Sequence, residues 1–135
     1  MIRGIIVEDE KHSREALKGL LERYCKNVMI VAEAESYREG ISVIREHKPD
    51  IVFLDIQMPD GSGFRLLEEL DEINFEIIFT TAFDQFAIKA IKYSALDYLL
   101  KPIDPEELVA SIKKVEQMMS SRKMNQNIKV LLDNI

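Results

Sequence analysis

Short apolar runs rich in β-branched residues recur along the chain and alternate with longer stretches of helical spacing. Several runs are apolar throughout instead of alternating, which is typical of strands covered on both faces. The pattern predicts a strand followed by a helix, repeated five times, and therefore a parallel sheet between two helical layers with right-handed connections. The predicted strands are Ile5–Val7, Val28–Ala32, Ile51–Leu54, Glu76–Thr80 and Asp97–Leu100.

Local signals indicate where the helices begin and where the domain ends. We expect the first helix to start after His12 or Ser13, the second at Ser36 and the last at Pro105. The apolar spacing is lost over residues 118–127 and then resumes briefly. The sequence therefore predicts one domain over residues 1–120 and a linker or C-terminal helical extension over residues 121–135.

The composition argues against several kinds of protein. Acidic residues outnumber basic ones 24 to 18, and the net charge of -6 disfavours direct binding of a polyanionic backbone by this segment. No apolar run approaches the roughly 20 residues that span a bilayer, so we expect a cytoplasmic protein without a membrane partner. The single cysteine, Cys25, cannot form an internal disulfide and is expected to be a buried structural thiol.

Polar side chains follow four of the predicted strands at the point where each strand ends. Glu8 and Asp9 come after the first strand, Asp55 after the third, Thr81 after the fourth and Lys101 after the fifth. Because the carboxyl ends of parallel strands meet at one edge of a sheet, we expect these residues to share a pocket.

The predicted pocket has the chemistry of a phosphoryl-transfer site. Three crowded carboxylates repel one another, and a hard divalent cation such as Mg²⁺ relieves that repulsion. A carboxylate beside magnesium is able to attack phosphorus and form an aspartyl phosphate. Lys101 would neutralise the phosphoryl oxygens, and Thr81 would donate a hydrogen bond to them.

Each residue also has a simpler explanation when it is considered alone. The acids at Glu8 and Asp9 suit the N-terminus of a helix, and Asp55 precedes a turn rich in proline and glycine. Thr81 is suited to capping a helix, and Lys101 to an exposed strand end. These explanations do not account for phosphoryl chemistry at four separate strand ends, so we favour the joint interpretation.

Four segments resemble the receiver domains of response regulators, the CheY-like family, in order and spacing over residues 1 to about 120. The segments are "IIVEDE", "IVFLDIQMPDGSG", "IIFTTAF" and "ALDYLLKPID". The resemblance implies a flavodoxin-like, doubly wound five-stranded parallel sheet with strand order 2-1-3-4-5, flanked by five helices.

The resemblance also assigns roles to residues of the predicted pocket. It implies that Asp55 is the phosphoacceptor, and that Asp9, Asp55 and the carbonyl of Gln57 bind Mg²⁺ directly. Glu8, which stands where many members have aspartate, would hold a metal-bound water. Thr81 and Lys101 would bind the phosphoryl group, and Thr81 and Tyr98 would form the switch.

The partners follow from the same resemblance. A sensor histidine kinase would supply the phosphoryl group, and the chain would catalyse only its own phosphorylation and dephosphorylation. The apolar residues of the fourth helix suggest a homodimer through the face formed by the fourth helix, the fifth strand and the fifth helix. The segment "FTTAFDQFAIKAIKYSALDYLLKPID" further resembles receivers of LytTR-type regulators, which implies that DNA is bound only by an output domain after Ile135.

Two other functions suit part of the pattern. A phosphohydrolase would use the same carboxylates and lysine, but Asp55 is followed by Ile56-Gln57 with no second acid as general acid. A flavin- or nucleotide-binding module would need a glycine-rich loop after the first strand, where this chain is acidic. The receiver interpretation is therefore preferred.

Overall fold

The computed structural model describes residues 1–134 and contains a single five-stranded sheet with five helices. The elements in chain order are β1 Ile2–Val7, α1 Lys11–Tyr24, β2 Val28–Ala34, α2 Tyr37–His47, β3 Ile51–Leu54, α3 Gly63–Glu69, β4 Glu76–Thr81, α4 Ala87–Lys92, β5 Asp97–Leu100 and α5 Pro105–Asp133.

All neighbouring strands pair in parallel, in the order β2-β1-β3-β4-β5. The predicted doubly wound α/β fold and its strand order are therefore confirmed. Alternate residues of the central strands point to opposite layers: Val52 and Leu54 pack with α2, α3 and α4, whereas Ile51 and Phe53 pack with α1 and α5. Strands that are apolar on both faces need this double cover.

The helix starts agree with the sequence in two cases of three. The Ser36 side chain accepts a hydrogen bond from the Glu39 N–H at the start of α2, and Pro105 occupies the first turn of α5. The predicted start of α1 after His12 or Ser13 is wrong, because α1 begins at Lys11 with Glu10 as its N-cap. Glu10 makes no side-chain capping bond, so no capping signal marks this start.

The last helix is much longer than the others and has two parts. Its first part packs on the sheet through Leu108, Ile112 and Val115. It then continues without a break through the region where the apolar spacing is lost, and residues 120–134 are all exposed. Ile135, the last residue of the predicted extension, lies outside the described residues.

Candidate functional site

The carboxyl ends of β1, β3 and β5 bring an acidic cluster and a lysine together. Carboxylate oxygens of Glu8, Asp9 and Asp55 all lie within 4.8 Å of one another. Nζ of Lys101 lies 3.2 Å from Oδ2 of Asp55 and also contacts Oε1 of Glu8. The predicted convergence is therefore present in the structure for the ends of β1, β3 and β5.

Asp55 is held in place by its own backbone and by its neighbours. Its N–H donates to the Val7 carbonyl at 3.0 Å, which extends the β1–β3 ladder to the site. Its Oδ1 accepts the N–H of Ile56 at 2.7 Å, and the residue is only 6% exposed. Burial and these bonds fix the orientation of the carboxylate, with Oδ2 directed to Lys101.

Glu8 is the most deeply buried acid of the cluster. Its Oε2 accepts the N–H of Glu10 at 3.1 Å, and Lys101 contacts its other oxygen. Burial is the main cause that raises the pKa of Glu8 to about 7, against the opposing effect of these two hydrogen bonds. Desolvation thus disfavours three charged carboxylates in this place, even with the Lys101 ammonium beside them.

Lys101 is bound tightly by the acids around it. Burial alone would lower the pKa of Lys101, but the contacts with Glu8 and Asp55 outweigh burial and raise it above its ordinary value. Its backbone N–H donates to the Thr81 carbonyl at 2.8 Å, so the end of β5 is aligned on the end of β4. The ammonium group therefore stays charged beside Asp55.

Thr81 and Tyr98 are joined through the loop that follows β4. Thr81 is fully buried, and its Oγ1 accepts the N–H of Phe83 at 3.3 Å. The Tyr98 hydroxyl donates to the carbonyl of the same Phe83. Tyr98 is half-buried against Phe79.

Gln57 is exposed and follows Asp55 by two residues, in the loop between β3 and α3. Asp9 is exposed beside two buried acids, which leaves its carboxylate open to solvent. Oxygen donors that converge in this way suit a hard cation such as Mg²⁺, which prefers carboxylates, carbonyls and water.

Two residues contribute to the site although their parts in it were not predicted. Arg14 is buried in α1 and donates from Nη1 to the Glu8 carbonyl at 2.8 Å, which fixes the β1–α1 loop. Gly63 lies so close to Asp55 that a Cβ at this position would collide with the Asp55 carbonyl oxygen. The "DGSG" turn indicated a glycine-dependent loop, but only the fold reveals its contact with Asp55.

A groove of about 580 Å³ opens beside the acidic cluster. It runs between α1 and the segment after β5, where the Lys101–Pro102 peptide bond is cis. Glu8 and Lys101 line it, and Ala16, Leu20 and Ile103 give it apolar walls. A partner in the groove would therefore contact Glu8 and Lys101 of the site.

A family model described as "Response regulator receiver domain" matches residues 5–113. The chain belongs to the response-regulator receiver family. Receiver domains are parts of signalling proteins. The acidic cluster at the sheet edge lies within the matched residues.

Similar proteins and structures support the same assignment. The chain is 42% identical over 132 residues to "Sensory transduction protein LytT" of Bacillus anthracis, covering 96% of the chain and 53% of that protein. It is 41% identical over 135 residues to "Transcriptional regulatory protein BtsR" of Escherichia coli strain K12, covering 99% and 54%. The receiver thus spans about half the length of these curated relatives.

Solved structures agree on the fold. The response regulatory domain of protein mrkE from Klebsiella pneumoniae superposes with a TM-score of 0.80 at 26% identity, covering 89% of this chain and 99% of that one. Within residues 1–134, none of the helices has both the length and the apolar character required to cross a bilayer.

Proposed function

We propose that this receiver is a phosphorylation-activated switch in which Asp55 accepts a phosphoryl group from a phosphohistidine of a sensor histidine kinase. The observation that carries the proposal is the buried Asp55 carboxylate, 3.2 Å from Lys101 and clustered with Glu8 and Asp9. A nucleophile, a fixed positive charge and a set of cation ligands are the parts that phosphoryl transfer requires.

In the transfer, an oxygen of Asp55 forms a bond to phosphorus while the bond from phosphorus to the histidine nitrogen breaks. The leaving imidazole keeps that electron pair and takes up a proton. Lys101 neutralises charge on the phosphoryl oxygens, and its contacts with two acids keep it protonated for this role. The Thr81 hydroxyl accepts from Phe83, which leaves its own proton to donate to the phosphoryl group.

The donor set supports magnesium as the cofactor. Asp9, Asp55 and the carbonyl of Gln57 would bind the ion directly, and Glu8 would hold one of its waters. When bound, the ion would offset the repulsion among the carboxylates and neutralise charge on the transferred group. Oxygen donors and room for water are what Mg²⁺ favours over the nitrogen and sulfur sites of other metals.

The groove beside the cluster is the proposed docking place for the kinase. Its lining combines apolar residues such as Ala16 and Leu20 with Lys101, so one surface offers both contact area and the lysine that contacts Asp55. We propose that this receiver is located in the cytoplasm, where the phosphohistidine of the kinase is formed.

The output is proposed to pass through Tyr98 to the α4-β5-α5 face. A phosphoryl group that draws Thr81 toward it would move Phe83, whose carbonyl holds the Tyr98 hydroxyl. The face exposes Ile88, Ile91 and Leu100, which suits a phosphorylation-dependent homodimer. Equal sedimentation with and without a phosphoryl mimic would count against that dimer.

The whole protein is proposed to be a LytTR-type transcriptional regulator. The support is the similarity to the proteins named LytT and BtsR, of which this receiver covers about half. DNA would be bound by an output domain that follows the receiver, since the receiver itself carries a net charge of -6. Residues 1–120 would be the phosphoacceptor domain and residues 121–135 the connection to the output.

Incubation with acetyl phosphate and Mg²⁺, followed by intact-mass measurement, tests the proposal. The wild-type chain is expected to gain the mass of one phosphoryl group, and Asp55→Asn to gain none. Asp60→Asn, on the same loop but outside the cluster, is the matched control and should be labelled like the wild type. Equal labelling of Asp55→Asn would contradict the proposal.

A further inference from the structure

Helix α5 changes its apolar side along its length. In the part that packs on the sheet, Leu108, Ile112, Val115 and Met119 lie on the inner side. At 3.6 residues per turn, the side opposite to these residues carries the polar Lys113 and Gln117. This first part is therefore an ordinary amphipathic helix whose polar side faces solvent.

Beyond Arg122 the two sides exchange character. Met124, Ile128 and Leu131 continue the outer line of Lys113 and Gln117, and they are 63%, 49% and 64% exposed. The inner line now carries polar residues together with Val130. These polar residues are Gln126, Lys129 and Asp133. The reversal explains why the apolar spacing is lost over residues 118–127, since neither side is consistently apolar there.

The ion pair between Arg122 and Glu76 marks the point where the reversal occurs. Glu76 is buried at the start of β4, and the Arg122 guanidinium contacts it. This contact attaches α5 to the amino-terminal end of β4, and the helix then extends beyond the domain. The helical extension, residues 123–133, is exposed throughout, so packing within this chain does not stabilise it and a partner on its apolar side would.

The partner cannot be the sheet of the same chain, because the apolar stripe of the extension points away from it. We propose that the stripe of Met124, Ile128 and Leu131 pairs with the same stripe of a second copy in a parallel, in-register coiled coil. The spacing of four and then three residues is that of a coiled-coil seam. The sheet lies on the opposite side of α5, so it does not cover the stripe.

The charges around the stripe favour a second copy over an unlike partner. The positions that flank the seam are uncharged, namely Ser120, Asn125, Asn127 and Leu132. Two identical helices with like charges at these positions would repel each other, and a partner selected by charge would require charges there. A neutral flank permits a copy of the same helix to pair with it.

The surface differs from the α4-β5-α5 face and does not depend on phosphorylation. Three apolar layers are few for a coiled coil, so the association is expected to be weak and to grow with concentration. The extension would hold two receivers near each other, and the phosphorylated face would then add to a contact already present.

Analytical ultracentrifugation of the unphosphorylated 135-residue chain over a wide concentration range tests the inference. The wild type is expected to self-associate, and Ile128→Glu to raise the dissociation constant at least about tenfold because it places two like charges in one layer. Val130→Glu is the matched control, because Val130 is similarly exposed but lies on the inner line. It is expected to leave the dissociation constant unchanged.

A mixing experiment tests the register. Ile128→Glu and Ile128→Lys are each expected to be monomeric, and an equal mixture is expected to associate more tightly than either alone. This rescue requires residue 128 of one copy to meet residue 128 of the other. A wild type that stays monomeric, equal weakening by Val130→Glu, or a mixture without rescue would overturn the proposal.

Phosphorylation separates this inference from the proposed function. Ile128→Glu is expected to be phosphorylated by acetyl phosphate as fast as the wild type, since the extension lies far from Asp55. Loss of self-association with intact phosphorylation supports the coiled coil. Self-association abolished by Ile88→Glu on α4 but unchanged by Ile128→Glu would assign the dimer to the other face and overturn it.

Discussion

Nζ of Lys101 lies 3.2 Å from Oδ2 of Asp55, although the two residues are 46 positions apart and stand at the ends of different strands. Strand β4 lies between β3 and β5 in the sheet, so the long lysine side chain has to reach across it. The ion pair therefore depends on the whole parallel sheet, and it places a fixed positive charge where a transferred phosphoryl group would arrive.

Magnesium is expected to stabilise the fold through the acidic cluster. At a concentration of a hundred times its dissociation constant, a bound ligand adds about 2.7 kcal/mol to the free energy of unfolding. Asp9→Asn should weaken Mg²⁺ binding at least about tenfold because it removes one charged ligand. Titration calorimetry and thermal unfolding with Mg²⁺ measure both effects, and the exposed Glu22→Gln is the control. A full Mg²⁺ response in Asp9→Asn would contradict the ligand assignment.

Phe83 is expected to slow hydrolysis of the phosphoryl group. Its N–H and carbonyl are bonded to Thr81 and Tyr98, and we expect its exposed ring to flank the path of attacking water along with Gln57. Phe83→Ser should shorten the phosphoryl lifetime several-fold by opening that path. The lifetime is followed by intact mass after the donor is removed, with Ile88→Ser on α4 as the control. An unchanged lifetime would refute this role.

Gly63 is expected to be required for the position of Asp55. An alanine Cβ would collide with the Asp55 carbonyl oxygen, so Gly63→Ala should cost roughly 1–3 kcal/mol and slow phosphorylation. Gly19→Ala is the matched control, because a Cβ there meets no atom within 4 Å and helix α1 should gain roughly 0.5–1 kcal/mol. Urea unfolding and phosphorylation rates test the pair, and equal behaviour of the two variants would refute the close-packing argument.

Asp97 is expected to make stability depend on pH in the acid range. Burial alone would raise the pKa of Asp97, but hydrogen bonds from Ser111, the Tyr98 N–H and Lys114 lower it below its ordinary value of 3.8. The folded chain thus holds the carboxylate more strongly than the unfolded chain does. Its stabilisation is complete well above pH 3.8 and is lost as the pH falls through the lower folded value.

Asp97→Asn should therefore be less stable than the wild type at neutral pH, and the difference should shrink in acid. Urea unfolding at neutral pH and near pH 3 measures it. The exposed Asp71→Asn is the control and should change little at either pH. A difference that grows on acidification would show that the sign of the effect is wrong.

The fold and the cluster were accessible from the sequence because both follow from a repeating pattern. Runs such as Ile51–Leu54 predict strands covered on both faces, and parallel strands then bring Glu8, Asp55 and Lys101 to one edge. The residue types of a local segment were less informative about contacts between residues that are distant in the sequence. No pattern predicts that Gly63 supports Asp55, because that contact depends on how the β3–α3 loop folds back.

The long helix shows a second limit of sequence patterns. The interrupted spacing after Met118 left open a linker or a C-terminal helical extension, and α5 is continuous to Asp133. The apolar residues move to the other side of α5 near the ion pair between Arg122 and Glu76. This change interrupts the periodicity without interrupting the helix. The apolar periodicity of a helix indicates which of its sides is covered. It therefore does not predict a continuous helix where the covered side changes along its length.

The most direct test of the account is to identify the phosphorylated residue chemically. After incubation with acetyl phosphate and Mg²⁺, borohydride reduction converts an aspartyl phosphate to homoserine, which peptide mass mapping locates. We predict homoserine at position 55 in the wild type, and none there when Mg²⁺ is removed by a chelator. Homoserine at another aspartate, or a phosphoryl group that resists reduction, would contradict the central claim that Asp55 is the phosphoacceptor.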